Sequence, residues 1–197
     1  MRAKMMNGQE RVNRMFARRD QDRIPRHDSY WAETIERWQQ EGLAGDSQKV
    51  LEWLESDFHL VCWNWPQTMP GTEVVVREDA ETRDVRDSQG KTVRYWKKKS
   101  GTPEHLGFDC DSREKWERVY KPSLLQHWLQ LKPDEVKRAY EEGRRLGRWC
   151  HLTGGESFEA TRSLMGDEIT MIALAEDPDW VADVSRTYTD VMLRNYE

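Results

Sequence analysis

The spacing of apolar residues divides the chain into short strand-like runs and amphipathic helices. Runs of strand length occupy Phe58 to Trp63 and Trp149 to Leu152. The second run stops at Thr153-Gly154-Gly155, and a segment with helical apolar spacing follows at once. Strand, glycine turn and helix form half of a βαβ unit, which joins parallel strands. The pattern therefore predicts an α/β fold whose functional groups gather at the C-terminal ends of the strands.

The helical segments combine N-terminal caps with one apolar face. Asp46 is a suitable N-cap for a helix from Ser47 to Glu55, and Asp177-Pro178 is suited to the start of another. The last helix, Trp180 to Tyr196, is strongly amphipathic. Its apolar residues at helical spacing are Trp180, Val181, Val184, Tyr188, Val191 and Met192.

The stretch from residue 73 to 99 has a strand-forming character of its own. It contains three β-prone runs, Glu73 to Arg77, Glu81 to Asp87 and Lys91 to Lys97. Asp87-Ser-Gln-Gly90 between the last two is a turn with glycine at the position that needs positive φ. One arm is acidic and the other basic, so opposite charges are expected to face each other across a β-hairpin.

Composition and charge narrow the classes of function. The chain has 197 residues, a net charge of −5 and no basic cluster longer than Lys97-Lys98-Lys99, so nucleic-acid binding is not indicated.

No apolar run approaches the length of a membrane span, and the N-terminus lacks an apolar signal core. Cys62, Cys110 and Cys150 are scattered, as expected for reduced thiols in the cytoplasm. No CxxC or HxxxH spacing marks a metal site, and none is predicted in this chain.

Several polar and aromatic residues have two interpretations. His27 and Asp28 lie in the polar segment Arg26 to Tyr30, which is either a loop with a satisfied histidine or a strand end that carries catalytic side chains. Glu156 and Glu159 follow the second apolar run, where they either favour the first turn of a helix or supply an acid or base. The aromatic residues near the strand ends are either core or pocket walls. They are Trp63, Trp65 and Phe158.

Four motifs in order resemble the uroporphyrinogen decarboxylase superfamily, which includes corrinoid-linked methyltransferases. They are Asp22-Arg-Ile-Pro25, Gly101-Thr-Pro-Glu104, Gly154-Gly-Glu-Ser-Phe-Glu159 and Leu174-Ala-Glu-Asp-Pro178. The resemblance implies that residues 1–197 form the N-terminal part of a single (β/α)₈ TIM-barrel domain, with residues 73–99 as a β-hairpin excursion. It covers about the first half of the superfamily's usual length, so we expect a truncated or fragmentary chain with an incomplete barrel and, by itself, little activity.

Two departures from true uroporphyrinogen decarboxylases favour the methyltransferase branch. The place of their arginine-rich substrate clamp reads Arg26-His-Asp-Ser-Tyr-Trp31, and Asn64 stands where they have an aspartate. The resemblance thus implies methyl transfer with a corrinoid protein as partner and a small-molecule substrate, possible zinc ligands lying beyond this chain. Tetrapyrrole decarboxylation and a non-catalytic binding or interaction module are the alternatives, and whether the chain is an enzyme stays open. A homo-oligomer is compatible with this interpretation.

These considerations predict a set of site residues. The catalytic candidates are Glu156, Asp28 and His27. The candidates for substrate binding are Tyr30, Trp63, Asn64, Trp65, Phe158, Glu159 and Arg162.

Overall fold

A computed structural model describes residues 5–98, 101–155 and 157–197. The chain divides into two compact units. The first contains Met1–Trp63 and Lys132–Thr153, and the second contains Asn64–Leu131 and Gly154–Glu197. Each combines helices with β-structure, so the fold is mixed α/β with one parallel and one antiparallel sheet.

The described part of the first unit holds four helices and most of the parallel sheet. The helices are α1 (Gly8–Phe16), α2 (Ala32–Gln40), α3 (Ser47–Trp53) and α6 (Pro133–Arg145), and the strands are β1 (Phe58–Asn64) and β6 (Trp149–Gly154). As predicted, Asp46 caps α3 by accepting hydrogen bonds from the backbone of Gln48 and Lys49. The N–H of Trp149 donates to the carbonyl of Asp57 at 2.7 Å, which aligns the starts of the two strands.

The described residues form no closed barrel, and the parallel sheet consists of β1 and β6. Of the two interpretations of Arg26 to Tyr30, the structure shows the loop, because no strand is assigned to this segment. Its polar side chains offer little apolar surface to bury. Instead, the N–H of Arg26 donates to the Asp57 side chain at 2.7 Å, and the carbonyl of Arg26 accepts from the Asp57 N–H at 2.8 Å.

A buried ion-pair network organises the first unit and includes the Asp22-Arg-Ile-Pro25 motif. Arg11 on α1 is 2% exposed and donates to Asp22 at 2.7 and 2.8 Å, and also to Asp57. Asp57, itself 2% exposed, accepts as well from Arg23. Burying charges without partners is costly, so this network ties the start of β1 to α1 and to the motif.

The second unit contains a four-stranded antiparallel sheet in the order β2-β3-β4-β5. Its strands are β2 (Val74–Glu78), β3 (Thr82–Arg86), β4 (Lys91–Trp96) and β5 (Glu104–Phe108). The predicted charge pairing is confirmed where Asp84 faces Arg94 across β3 and β4, with hydrogen bonds of 2.8 Å. The sheet exceeds the predicted hairpin by β5. Lys99, the last residue of the predicted excursion, lies outside the described residues.

A helical core completes the second unit. Its helices are α4 (Arg113–Lys115), α5 (Lys121–Gln126), α7 (Ser157–Met165), α8 (Asp167–Glu176) and α9 (Pro178–Tyr196). Asp177 caps α9 by accepting from the N–H of Trp180, as the sequence predicted. All six apolar positions predicted for the inner face of α9 are buried.

Among the described residues, no helix has both the length and the apolar character needed to cross a membrane.

A π-helical turn, Trp116–Tyr120, connects α4 to α5 without a break. The N–H of Lys121 donates to the carbonyl of Trp116, five residues earlier. The Trp116 indole N–H and the Lys121 ammonium both donate to Asp183 on α9, at 2.7 Å and at 2.6 and 2.9 Å. The Trp116 ring also stacks on Tyr188, with a centroid separation of 6.4 Å. The turn thus anchors this helix to α9 by both polar and aromatic contacts.

Candidate functional site

The first unit contains a cavity of about 430 Å³. This is within the usual size range of small-molecule sites, roughly 300–1,000 Å³. Its walls come from the loop before α2, from α3 and from both parallel strands. The lining residues are His27, Asp28, Ser29, Tyr30, Ser47, Gln48, Leu51, Phe58, His59, Leu60, Trp63, Arg148, His151 and Thr153. Four of the predicted site residues are among them, namely His27, Asp28, Tyr30 and Trp63.

The loop that carries His27 is held from two sides. Asp57 fixes its start through the backbone of Arg26. The His27 ring then packs against Phe58 on β1 at 5.5 Å and edge-on against His151 on β6 at 5.6 Å, measured between ring centroids. The loop interpretation of this segment is therefore the observed one, and it still brings His27 to the cavity wall.

His59 and His151 are expected to be neutral near pH 7. Burial lowers the pKa of His59, and the positive charge of Arg148 lowers it further. Burial also lowers the pKa of His151, with smaller contributions from His27 and His59. The Nδ1 atom of His151 is buried and has no hydrogen-bond partner among the described residues. A neutral imidazole can accept or donate one proton, so these rings suit hydrogen bonding or proton transfer.

Arg148 is the most deeply buried charged group of the cavity wall, with 6% exposure. A turn at the end of α6 fixes its backbone. Gly147 adopts φ +66°, the N–H of Gly147 donates to Arg144 and the N–H of Arg148 donates to Gly143. This is the Schellman arrangement, in which a left-handed glycine closes a helix. Across the part of the chain that the structure describes, the guanidinium has no hydrogen bond or ion pair.

Tyr30 and Asp28 form the rim on the loop side. Burial and the neighbouring Asp28 carboxylate raise the pKa of Tyr30, so its phenol stays protonated near pH 7. The Tyr30 ring lies 4.9 Å from that of Trp38 on α2. Asp28 accepts a hydrogen bond from the N–H of Ser29 at 2.8 Å. The rim thus offers one hydroxyl donor and one carboxylate.

The two residues that follow β1 in the predicted set belong to the second unit. Asn64 is 1% exposed, and its amide donates to the carbonyl of Met192 at 3.1 Å. Trp65 packs closely on Gly155, because a Cβ at that glycine would come within 2.5 Å of the indole. Both contacts are structural, and the contact with Trp65 explains why residue 155 is a glycine.

The remaining predicted residues lie on α7 in the second unit or outside the described residues. Phe158 is 52% exposed. Glu159 accepts hydrogen bonds from Arg162 at 2.7 and 3.0 Å, and Arg162 also donates to Asp167 at 2.9 Å. The Arg162 guanidinium is therefore already paired within its own helix and the next. Glu156 lies outside the described residues.

The thiols and metal-binding residue types add no further group to the site. Burial raises the pKa of each of the three cysteines, that of Cys110 to about 12, so they are neutral thiols near pH 7. Within residues 5–98, 101–155 and 157–197, no group of three or more His, Cys, Asp or Glu side chains is arranged to hold a metal ion.

Sequence reasoning missed His59, His151 and Arg148 as members of one site. The two histidines do carry a signal, because each interrupts an apolar run of strand length, where a polar residue needs a reason to be buried. Arg148 carries no such signal, since a basic residue after a helix is ordinarily solvated and interacts with the last carbonyls.

Comparison of the chain with models of protein families, with curated proteins and with solved structures found no match.

Proposed function

We propose that this chain is the N-terminal part of an enzyme similar to uroporphyrinogen decarboxylases, of the branch that transfers methyl groups to or from a corrinoid protein. The cavity of the first unit would bind the small molecule that donates or accepts the methyl group. The observation that carries this proposal is the cavity itself. It has a suitable volume and brings together four residues chosen from the sequence for catalysis or substrate binding.

The cavity residues have properties suited to such a role. His27 and Asp28 supply a proton acceptor beside the bound molecule, while Phe58 and Trp63 offer aromatic walls. A methyl acceptor such as a thiol becomes a better nucleophile when it loses its proton, which His27 would receive. The described residues do not provide a ligand set for zinc, so the proposed steps use only side chains of the cavity.

The reading frame beyond Glu197 provides the first test. Zinc-dependent methyl transfer in this superfamily branch requires a His-x-Cys pair and a later cysteine. Their presence downstream would support the proposal, and a complete frame without them would exclude zinc-dependent methyl transfer.

A methyl-transfer assay on the complete gene product provides the second test. Methylcobalamin serves as methyl donor and a small thiol as acceptor, and formation of cob(I)alamin is followed by its absorbance. We expect turnover by the wild type and a loss of about a hundredfold or more in His27→Asn, because a positioned proton acceptor contributes at least that much. Arg144→Gln, at an exposed position near the end of α6, is the surface control. Equal rates for His27→Asn and the wild type would remove His27 from the mechanism. Absence of turnover would argue against methyl transfer and for a binding module.

A further inference from the structure

The guanidinium of Arg148 is a largely buried positive charge without a bonded counter-charge in the described structure. The Glu142 carboxylate acts on it through its field alone. Arginine is rarely buried to this degree unless it is paired, because removing a charge from water costs several kcal/mol. Arg148 is 6% exposed and lines the cavity, and its guanidinium forms no ion pair or hydrogen bond within the described ranges. The C-terminal carbonyls of α6 favour a nearby cation, but only partly balance its charge.

The nearby carboxylates do not fill this role. Glu142 on α6 is close enough for its field to act on His59, yet it is bonded to Arg145 at 2.6 and 2.8 Å. Asp28 lines the same cavity, where its carboxylate accepts from the N–H of Ser29 and interacts with the Tyr30 hydroxyl. Neither forms an ion pair with Arg148 in the described structure. The missing counter-charge is therefore expected to come from a ligand.

We infer that the cavity binds a small organic carboxylate, with its carboxylate on Arg148 and its apolar or aromatic body against Phe58, whose ring lies beside that of Trp149, the residue after Arg148. This inference rests on the proposed function, because it assigns the substrate class of the same cavity. The planar guanidinium matches a carboxylate through two parallel N–H···O bonds.

A single guanidinium matches one carboxylate, which favours a monoanion over a dianion. Asp28 adds a carboxylate to the same wall, and the half-buried His59 and His151 are neutral near pH 7, so neither offsets a second negative charge on the ligand. A phosphate dianion would need further cations or several helix N-terminal N–H groups, as phosphate sites usually have. A neutral ligand would leave the guanidinium unpaired.

Calorimetric titration of the purified chain in low-chloride buffer near neutral pH tests this inference. The probes are benzoate, the neutral benzamide of similar shape and the dianion phenyl phosphate. We expect benzoate to bind at least about tenfold more tightly than benzamide, because a hydrogen bond between two charged groups is roughly twice as strong as a neutral one. Arg148→Gln should lose this preference, and Arg148→Lys should retain only part of it. Asp28→Asn should tighten benzoate binding, because it removes a like charge.

The controls separate this inference from the proposed function. Arg144→Gln should bind benzoate like the wild type, and circular dichroism melting verifies that each variant is folded. If Arg148→Gln does not fold, the wild-type preference for benzoate over benzamide decides the question. Equal binding of benzoate and benzamide, binding of neither, or tighter binding of phenyl phosphate would each overturn the inference. Selective benzoate binding without any methyl transfer by the complete gene product would support the inference and refute the proposed function.

Discussion

Removing the carboxylate of Asp57 should destabilise the first unit strongly. Asp57→Ala takes away the acceptor used by Arg11, by Arg23 and by the backbone N–H of Arg26. The Arg11 side chain is 2% exposed, so it cannot turn to water without opening the network. The mutation therefore leaves a buried charge with only part of its partners.

The magnitude follows from which partners are left. Breaking a buried ion pair by removing one member costs about 3–5 kcal/mol. Arg11 keeps its two hydrogen bonds to Asp22, so the expected loss lies at the lower end, about 3 kcal/mol. For a chain of this size, that corresponds to a decrease in Tm of roughly 6–12 °C. Asp57→Asn should lose less, because its amide oxygen still accepts one donor.

Thermal and urea unfolding followed by circular dichroism measures this effect. Glu41→Ala is the control, because it breaks the exposed pair between Glu41 and Arg37, whose side chains are 55% and 78% accessible. Such surface pairs contribute less than about 0.5–1 kcal/mol. The reasoning would be refuted if Asp57→Ala melted within about a degree of the Glu41→Ala control. Because Asp57 also holds the loop before His27, Asp57→Ala should weaken benzoate binding as well.

Two further predictions concern acidification and a glycine turn. The pKa values of His59 and His151 are lowered from 6.5, so the unfolded chain binds protons more readily than the folded chain. The contribution of the two neutral histidines to stability is therefore complete above pH 6.5 and decreases as the pH falls below it. Between about pH 8 and 6, the Tm of the double variant His59→Gln/His151→Gln should decrease less than that of the wild type, and an equal decrease would contradict this. Gly90→Ala should destabilise more than Gly71→Ala in urea unfolding, since both glycines have φ +79° but only at Gly90 would the new Cβ meet a neighbour, the Tyr120 hydroxyl at 2.4 Å. Similar losses of about 1–2 kcal/mol for both glycines would show that the backbone conformation alone sets the cost.

The parts of the fold that follow local periodicity were predictable. The six apolar residues of α9 are buried as predicted, because one face of a long helix must find a core. The runs that became β2, β3 and β4 were identified from β-branched residues and the turn before Lys91. β5 was missed, since Glu104 to Phe108 contains no β-branched residue and includes a glycine, which weakens a strand pattern. It pairs with β4 in the antiparallel sheet.

The candidate site was only partly predictable, for a different physical reason. His27, Asp28, Tyr30 and Trp63 were selected from polar and aromatic residues near strand ends, and they line one cavity. Asn64 looked similar from the sequence, but its amide serves the backbone of Met192. A sequence shows which donors and acceptors exist, whereas their use depends on tertiary contacts. The same limit applies to Arg148, whose lack of a partner is visible only in three dimensions.

The π-helical turn between α4 and α5 has a consequence for tolerance to changes in chain length. In a regular α-helix, residues five apart point about 140° away from each other, so Trp116 and Lys121 could not both reach Asp183. The extra residue of the turn brings them to one side. Deleting one exposed residue there, such as Arg118, would place them four apart in an ordinary helix and keep both contacts. The same deletion within α9 would rotate every later side chain by about 100° and remove its apolar face from the core. A shortened relative of this chain is therefore expected to carry its gap at Glu117 to Val119.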